Sequence, residues 1–127
     1  MEKYKTVPGK HNRHIPAFLL LFLAREDAHG GALWNHMANL IPDHFGIDSG
    51  AVYRVLRELE ERGCLTSYWN TEDAGPAKRI YHMTPAGFAE LAMWYEDIQL
   101  RIDNLTYFIT QYESLAESKT MASESDQ

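Results

Sequence analysis

The chain has 127 residues, 45% hydrophobic and 24% charged, with a formal net charge of -6. That length allows one domain with a modest core and excludes two, and the single Cys64 excludes an internal disulfide and suits a reducing cytoplasm. Residues 1–84 hold ten Lys+Arg and ten Asp+Glu, whereas the rest holds Arg101 and Lys119 against eight acids, so the acidic balance does not exclude a polyanionic partner for the N-terminal part.

Residues 1–14 are polar, contain Pro8-Gly9 and carry Lys3, Lys5, Lys10 and Arg13, which predicts a flexible basic arm. Residues 15–24 form the only strongly apolar run, far short of the ~20 needed to span a bilayer. Arg25-Glu26-Asp27 follows with no small-residue cleavage pattern, so the run reads as a buried first helix entered through Pro16, and no membrane partner is expected. A second helix is predicted over residues 31–40, with Leu33, Met37, Leu40 and Ile41 as its apolar stripe and Pro42 as its stop. Residues 43–48 read as a turn.

Ser49 reads as the N-cap of a third helix over residues 49–62. Val52, Val55, Leu56 and Leu59 recur on one face for a core, leaving Tyr53, Arg54, Arg57 and Glu61 elsewhere, free to touch something. Gly50 is a poor helix former in that first turn, which points to close approach of another backbone. Gly63 ends the helix as a C′ glycine would, and Cys64 beside it reads as a small buried hydrophobe.

Residues 65–70 and 79–83 are short runs of β-formers joined by a polar loop with Gly75-Pro76, a hairpin with a wing. Thr84-Pro85 is a strong helix start. The helix expected over residues 85–113 places Phe88, Leu91, Tyr95, Ile98, Ile102, Leu105, Ile109 and Tyr112 three and four apart, a coiled-coil seam that predicts a homodimer. At ~1.5 Å per residue it would be about 40 Å long. Residues 114–127, rich in Ser and Glu, are expected to be a disordered tail. The fold class is therefore mainly α with a small β-hairpin: a winged helix-turn-helix head over residues 15–84 and a long C-terminal dimerisation helix.

Ser49-Gly50-x-x-Tyr53-Arg54-x-Leu56-x-x-Leu59-Glu60-x-x-Gly63, followed by Lys78-Arg79-Ile80-Tyr81-x-x-Thr84-x-x-Gly87, resembles the PadR family of bacterial transcriptional regulators over roughly residues 15–112. Gly30-Gly31 stands where many members have Gly-Tyr, and the wing carries Glu72 and Asp73 where members often carry additional arginine. The resemblance implies a winged helix-turn-helix homodimer that acts on double-stranded DNA as a repressor. It also implies a DNA-contacting set of Ser49, Gly50, Tyr53, Arg54, Arg57, Lys78 and Arg79. Some members bind flat aromatic drugs near the dimer interface, so Trp94, next to seam residue Tyr95, is the candidate for a small aromatic effector.

Two other classes compete. A winged-helix protein-interaction adaptor that does not bind DNA is favoured by the acidic wing and the overall charge, and opposed by Arg54, Arg57 and Gly50. An enzyme is the third choice, and no phosphate-binding loop or nucleophile with a positioned base supports it. The six histidines show no HxxxH pair and the lone cysteine no zinc spacing, so neither a metal nor a cofactor is expected.

Overall fold

The computed structural model describes residues 13–40, 48–72 and 74–125, with side chains described to residue 120 except for Leu40. The expected arm lies outside the described residues apart from Arg13 and His14, as does the expected turn apart from Asp48. In chain order the elements are helix α1 (Ile15–Arg25), strand β1 (Ala28–His29), helix α2 (Gly30–Leu40), helix α3 (Ser49–Glu61), strands β2 (Leu65–Asn70) and β3 (Lys78–Met83), and helix α4 (Pro85–Ser125). The chain divides into two compact units, Met1–Ala92 and Met93–Gln127.

The core of the first unit starts from α1, where Ile15, Ala17, Leu19, Leu20, Phe22 and Leu23 are all buried. A helix apolar on most of its circumference must be covered from several sides. Leu33 and Met37 of α2, Ala51, Val52, Val55, Leu56 and Leu59 of α3, Cys64 just after it, and Leu65, Tyr81 and Met83 of the sheet complete the buried set among the described residues. Each of the Val, Leu, Ile, Phe and Met side chains among them contributes about 1.5 to 3 kcal/mol of transfer free energy.

Two helix starts differ from expectation. The α3 cap is Asp48, whose Oδ1 accepts from the Ala51 amide at 2.8 Å, and Ser49 is the first helical residue. A carboxylate is an equally good cap and also complements the positive end of the helix. Helix α2 begins at Gly30, one residue before the expected position, because His29 Nδ1 accepts from the Ala32 amide at 3.2 Å and serves as its cap. At the other end of α3, Gly63 has φ +80°. The Cys64 amide reaches the Leu59 carbonyl at 2.9 Å and the Gly63 amide reaches that of Glu60 at 3.0 Å, the paired closure of a Schellman motif.

The sheet has three strands in the order β1-β3-β2, all antiparallel. Ala28 pairs with Tyr81 and His29 with Ile80, while Leu65 to Asn70 pair in register with Met83 to Lys78. The hairpin matches its expected place with β3 one residue longer, whereas β1 was not expected. Two residues carry no periodicity, and this strand exists because β3 offers it an edge.

Thr84 opens α4 as expected: its Oγ1 accepts from the Gly87 amide at 3.1 Å and donates to the Gly63 carbonyl at 2.6 Å. The Arg62 guanidinium forks onto Glu90, with Nη2 at 2.8 and 3.0 Å from the two carboxylate oxygens. The end of α3 and the start of α4 are thus held by a directed, charge-assisted contact.

Within the second unit, Arg101 Nε donates to Asp97 at 2.8 Å one turn away. The helix runs on to Ser125, past the expected end at 113 and through most of the expected tail. After Gly87 no glycine or proline interrupts the chain, and Ala116, Glu117, Lys119, Met121 and Ala122 are good helix formers, which outweighs the polar composition.

Candidate nucleic-acid interface

Helix α3 buries Ala51, Val52, Val55, Leu56 and Leu59, which turns Gly50, Tyr53, Arg54 and Arg57 to the opposite face. Ser49, Gly50, Tyr53, Arg54 and Arg57 are all exposed there. Among the described residues a β-carbon on Gly50 would find only Asp48 Oδ1, at an ordinary 3.4 Å, so none of them demands a glycine at that position. Arg54 Nε stands 3.9 Å from Glu58 Oε1 with more than half of each side chain in solvent. Such a pair is worth at most about 1 kcal/mol and is easily exchanged for another anion.

Tyr53 is 46% exposed, and its ring lies against Gly30 at the start of α2, leaving no room for a β-carbon there. Around that contact His29, Gly30, Gly31, Tyr53, Lys78, Arg79 and Tyr81 line a hollow of about 280 Å³. The fold therefore brings Tyr53 of α3 together with Lys78 and Arg79 of β3, about 25 residues later in the chain. Burial pushes the Tyr81 phenol up from its ordinary value, against the nearby Arg79 guanidinium, so it remains a neutral hydroxyl.

Lys78 and Arg79 are both exposed, but the Arg79 guanidinium is engaged by neighbouring side chains. Its Nε donates to Ser67 Oγ at 2.9 Å and its Nη2 to Glu60 Oε1 at 3.0 Å, and Ser67 Oγ donates to Glu60 Oε2 at 2.6 Å. Sequence reasoning missed Glu60 and Ser67. The only available signal was Glu60 beside buried Leu59, and no helical spacing connects it to a strand residue. On the outer side of the sheet, Asp27 accepts from Tyr68 Oη at 3.0 Å and meets His82 Nδ1 at 2.7 Å. That bond is the largest cause of the raised Tyr68 phenol, since it favours the protonated form.

Along α4, the seam residues Phe88, Tyr95, Ile102, Leu105 and Ile109 are 50 to 65% exposed in the single chain, while Leu91, Trp94 and Ile98 are half-buried. A second exposed apolar row, Leu100, Tyr107, Phe108 and Leu115, was not expected. No helix among the described residues is long and apolar enough to cross a membrane, and no group of three His, Cys, Asp or Glu among them is placed to hold a metal ion.

Comparison with solved structures gives the same architecture. A PadR family transcription regulator from Clostridium difficile superposes with a TM-score of 0.67 at 18% identity, over 76% of this chain and 98% of that one. A transcriptional regulator from Clostridium thermocellum gives 0.69 at 20% identity, over 81% and 98%. Bacillus subtilis PadR, solved in complex with operator DNA, gives 0.59 at 19% identity, over 66% of this chain and 48% of that longer one. No curated protein sequence matches significantly. The model of the transcriptional regulator PadR-like family matches residues 19–93. With more than half of the chain matched, and the helices and hairpin of its first unit in the same arrangement, the chain belongs to the PadR-like family, whose members are transcriptional regulators and not enzymes.

Proposed function

We propose that this chain is a homodimeric repressor that binds a two-fold operator in double-stranded DNA through α3. The carrying observation is the exposure of Gly50, Tyr53, Arg54 and Arg57 on the α3 face opposite the core, next to Lys78 of the hairpin. Family membership supports the reading, as does the capture of Bacillus subtilis PadR on operator DNA. Two copies of α3 would enter successive major grooves about 34 Å apart. The amides of the α3 first turn would face phosphate past Gly50, with Ser49 and Tyr53 donating hydroxyls. Arg54 would reach a base edge or its phosphate, and Arg57 and Lys78 would hold the backbone. Arg79 borders the same face.

Dimerisation would run through Phe88, Leu91, Tyr95, Ile98, Ile102, Leu105 and Ile109 of α4, whose exposed members make a longer apolar stripe than a monomer ordinarily leaves in water. A planar aromatic effector beside Trp94 would relieve repression; quenching of tryptophan emission by such a compound, lost in Trp94→Ala, is the expected signature.

The functional test is selection of genomic fragments by the purified protein, followed by titration at several salt concentrations. Affinity should fall with log salt by about 0.9 for each phosphate neutralised. Absent or salt-independent binding would leave the protein-interaction adaptor, which the acids Glu58, Glu61 and Glu72 around the basic face favour.

A further inference from the structure

Arg79 lies on the hairpin beside α3, and although 45% of its side chain is exposed, its guanidinium is already held by acceptors of the protein itself. Ser67, Glu60 and Arg79 form a closed ring of three hydrogen bonds: Arg79 Nε to Ser67 Oγ, Ser67 Oγ to Glu60 Oε2, and Arg79 Nη2 to Glu60 Oε1. Ser67 comes from β2, Glu60 from α3 and Arg79 from β3. The guanidinium carbon also lies 6.0 Å from the Trp69 ring centre and 5.9 Å from that of Tyr81, at the outer range of cation–π attraction. Glu60 is only 27% exposed.

We infer that Arg79 is a positioning residue, which pins the β2–β3 hairpin to the recognition helix through Glu60 and Ser67 and does not itself contact DNA. The inference rests on the DNA-binding reading above. An Arg–Glu pair is electrically neutral and releases no counterion from the duplex, so it contributes nothing to the salt dependence of binding. Moving Arg79 to a phosphate would leave the Glu60 carboxylate partly buried, unpaired and next to a polyanion. What the pair supplies is geometry: it fixes where Lys78 stands relative to Arg54 and Arg57. The planar fork suits the task, because two directed N–H groups from one side chain reach a helix carboxylate and a strand hydroxyl at once.

The two roles give opposite signs on neutralising Glu60. On a duplex selected by the wild-type protein from a random-sequence library, Glu60→Gln should weaken binding about tenfold with the salt slope unchanged. Arg79→Lys, which keeps the charge but not the fork, should do the same, whereas Lys78→Ala should lower the slope by about 1. Tighter binding by Glu60→Gln, or a slope reduced by about 1 in Arg79→Ala, would overturn the assignment. A DNA-free measurement separates this from failure of the DNA reading itself: in thermal melts of the full chain, Glu60→Gln should add nothing once Arg79 is Ala. Additive shifts would overturn the clamp even if the wild type bound no duplex.

Discussion

The Tyr53 ring rests on the Cα of Gly30 so closely that a β-carbon there would collide with ring carbon Cε1. The contact joins the start of α2 to the exposed face of α3, so the aim of the tyrosine depends on the absence of a side chain on a different helix. Gly30→Ala should therefore swing the half-exposed ring aside at little cost in stability, because removing a helix glycine returns up to ~1 kcal/mol. The expected outcome is a thermal midpoint close to wild type with severalfold weaker DNA binding. A lowered midpoint with unchanged affinity would show that the contact serves packing alone.

Asp48 makes separable contributions to the fold and to the charge of the proposed DNA face. Asp48→Ala removes the acceptor for the Ala51 amide and should cost about 1 kcal/mol, read from denaturant midpoints. Asp48→Asn keeps a cap of equal quality and removes a negative charge from the helix end proposed to meet phosphate. Its stability should stay near wild type while its DNA affinity rises.

Much of this architecture was legible because its signals are local. Thr84-Pro85 marks a helix start and Gly63 a helix end within a few residues of themselves, and both stand where expected. The β1 strand, the Tyr53–Gly30 contact and the Glu60–Ser67–Arg79 ring were not legible, because each joins residues whose proximity only the completed fold creates. The α3 cap was misplaced by one residue because Asp48 and Ser49 are equally good caps in adjacent positions. The chain beyond residue 113 was misread from its serines and glutamates, although helix propagation needs only good formers and no breaker.

Ile98→Asp combined with Ile102→Asp should convert the proposed dimer to a monomer, since each substitution places an unpaired charge in the proposed seam. Sedimentation equilibrium gives the mass directly, and far-ultraviolet circular dichroism separates dissociation from unfolding. A folded double variant that is still dimeric would move the interface elsewhere.

Leu59 is fully buried on the core side of α3. Leu59→Ala should destabilise the protein by about 2 to 5 kcal/mol, the range for large-to-small core substitutions. Urea denaturation should show a lower midpoint at a similar slope.

Burial, reinforced by the carboxylate of Glu90, raises the Cys64 thiol above its ordinary value. The unfolded chain thus loses this proton first as pH rises, at about 8.5. The stabilisation is complete below that pH and is lost as pH climbs through the folded value. Cys64→Ala should show a shallower loss of stability above pH 8.5. Iodoacetamide should label native wild-type protein far more slowly than the denatured chain, as followed by intact mass.

In the sheet order β1-β3-β2, the strand made last is the one in the middle. During synthesis β1 and β2 emerge first and have no ladder to join, because both pair only with β3. The sheet cannot close until β3, ending at Met83, has left the ribosome, although α1 by then already has α2 and α3 to pack against. The Glu60 carboxylate is synthesised nineteen residues ahead of Arg79, so the hairpin can be pinned to α3 only after its second strand has been made.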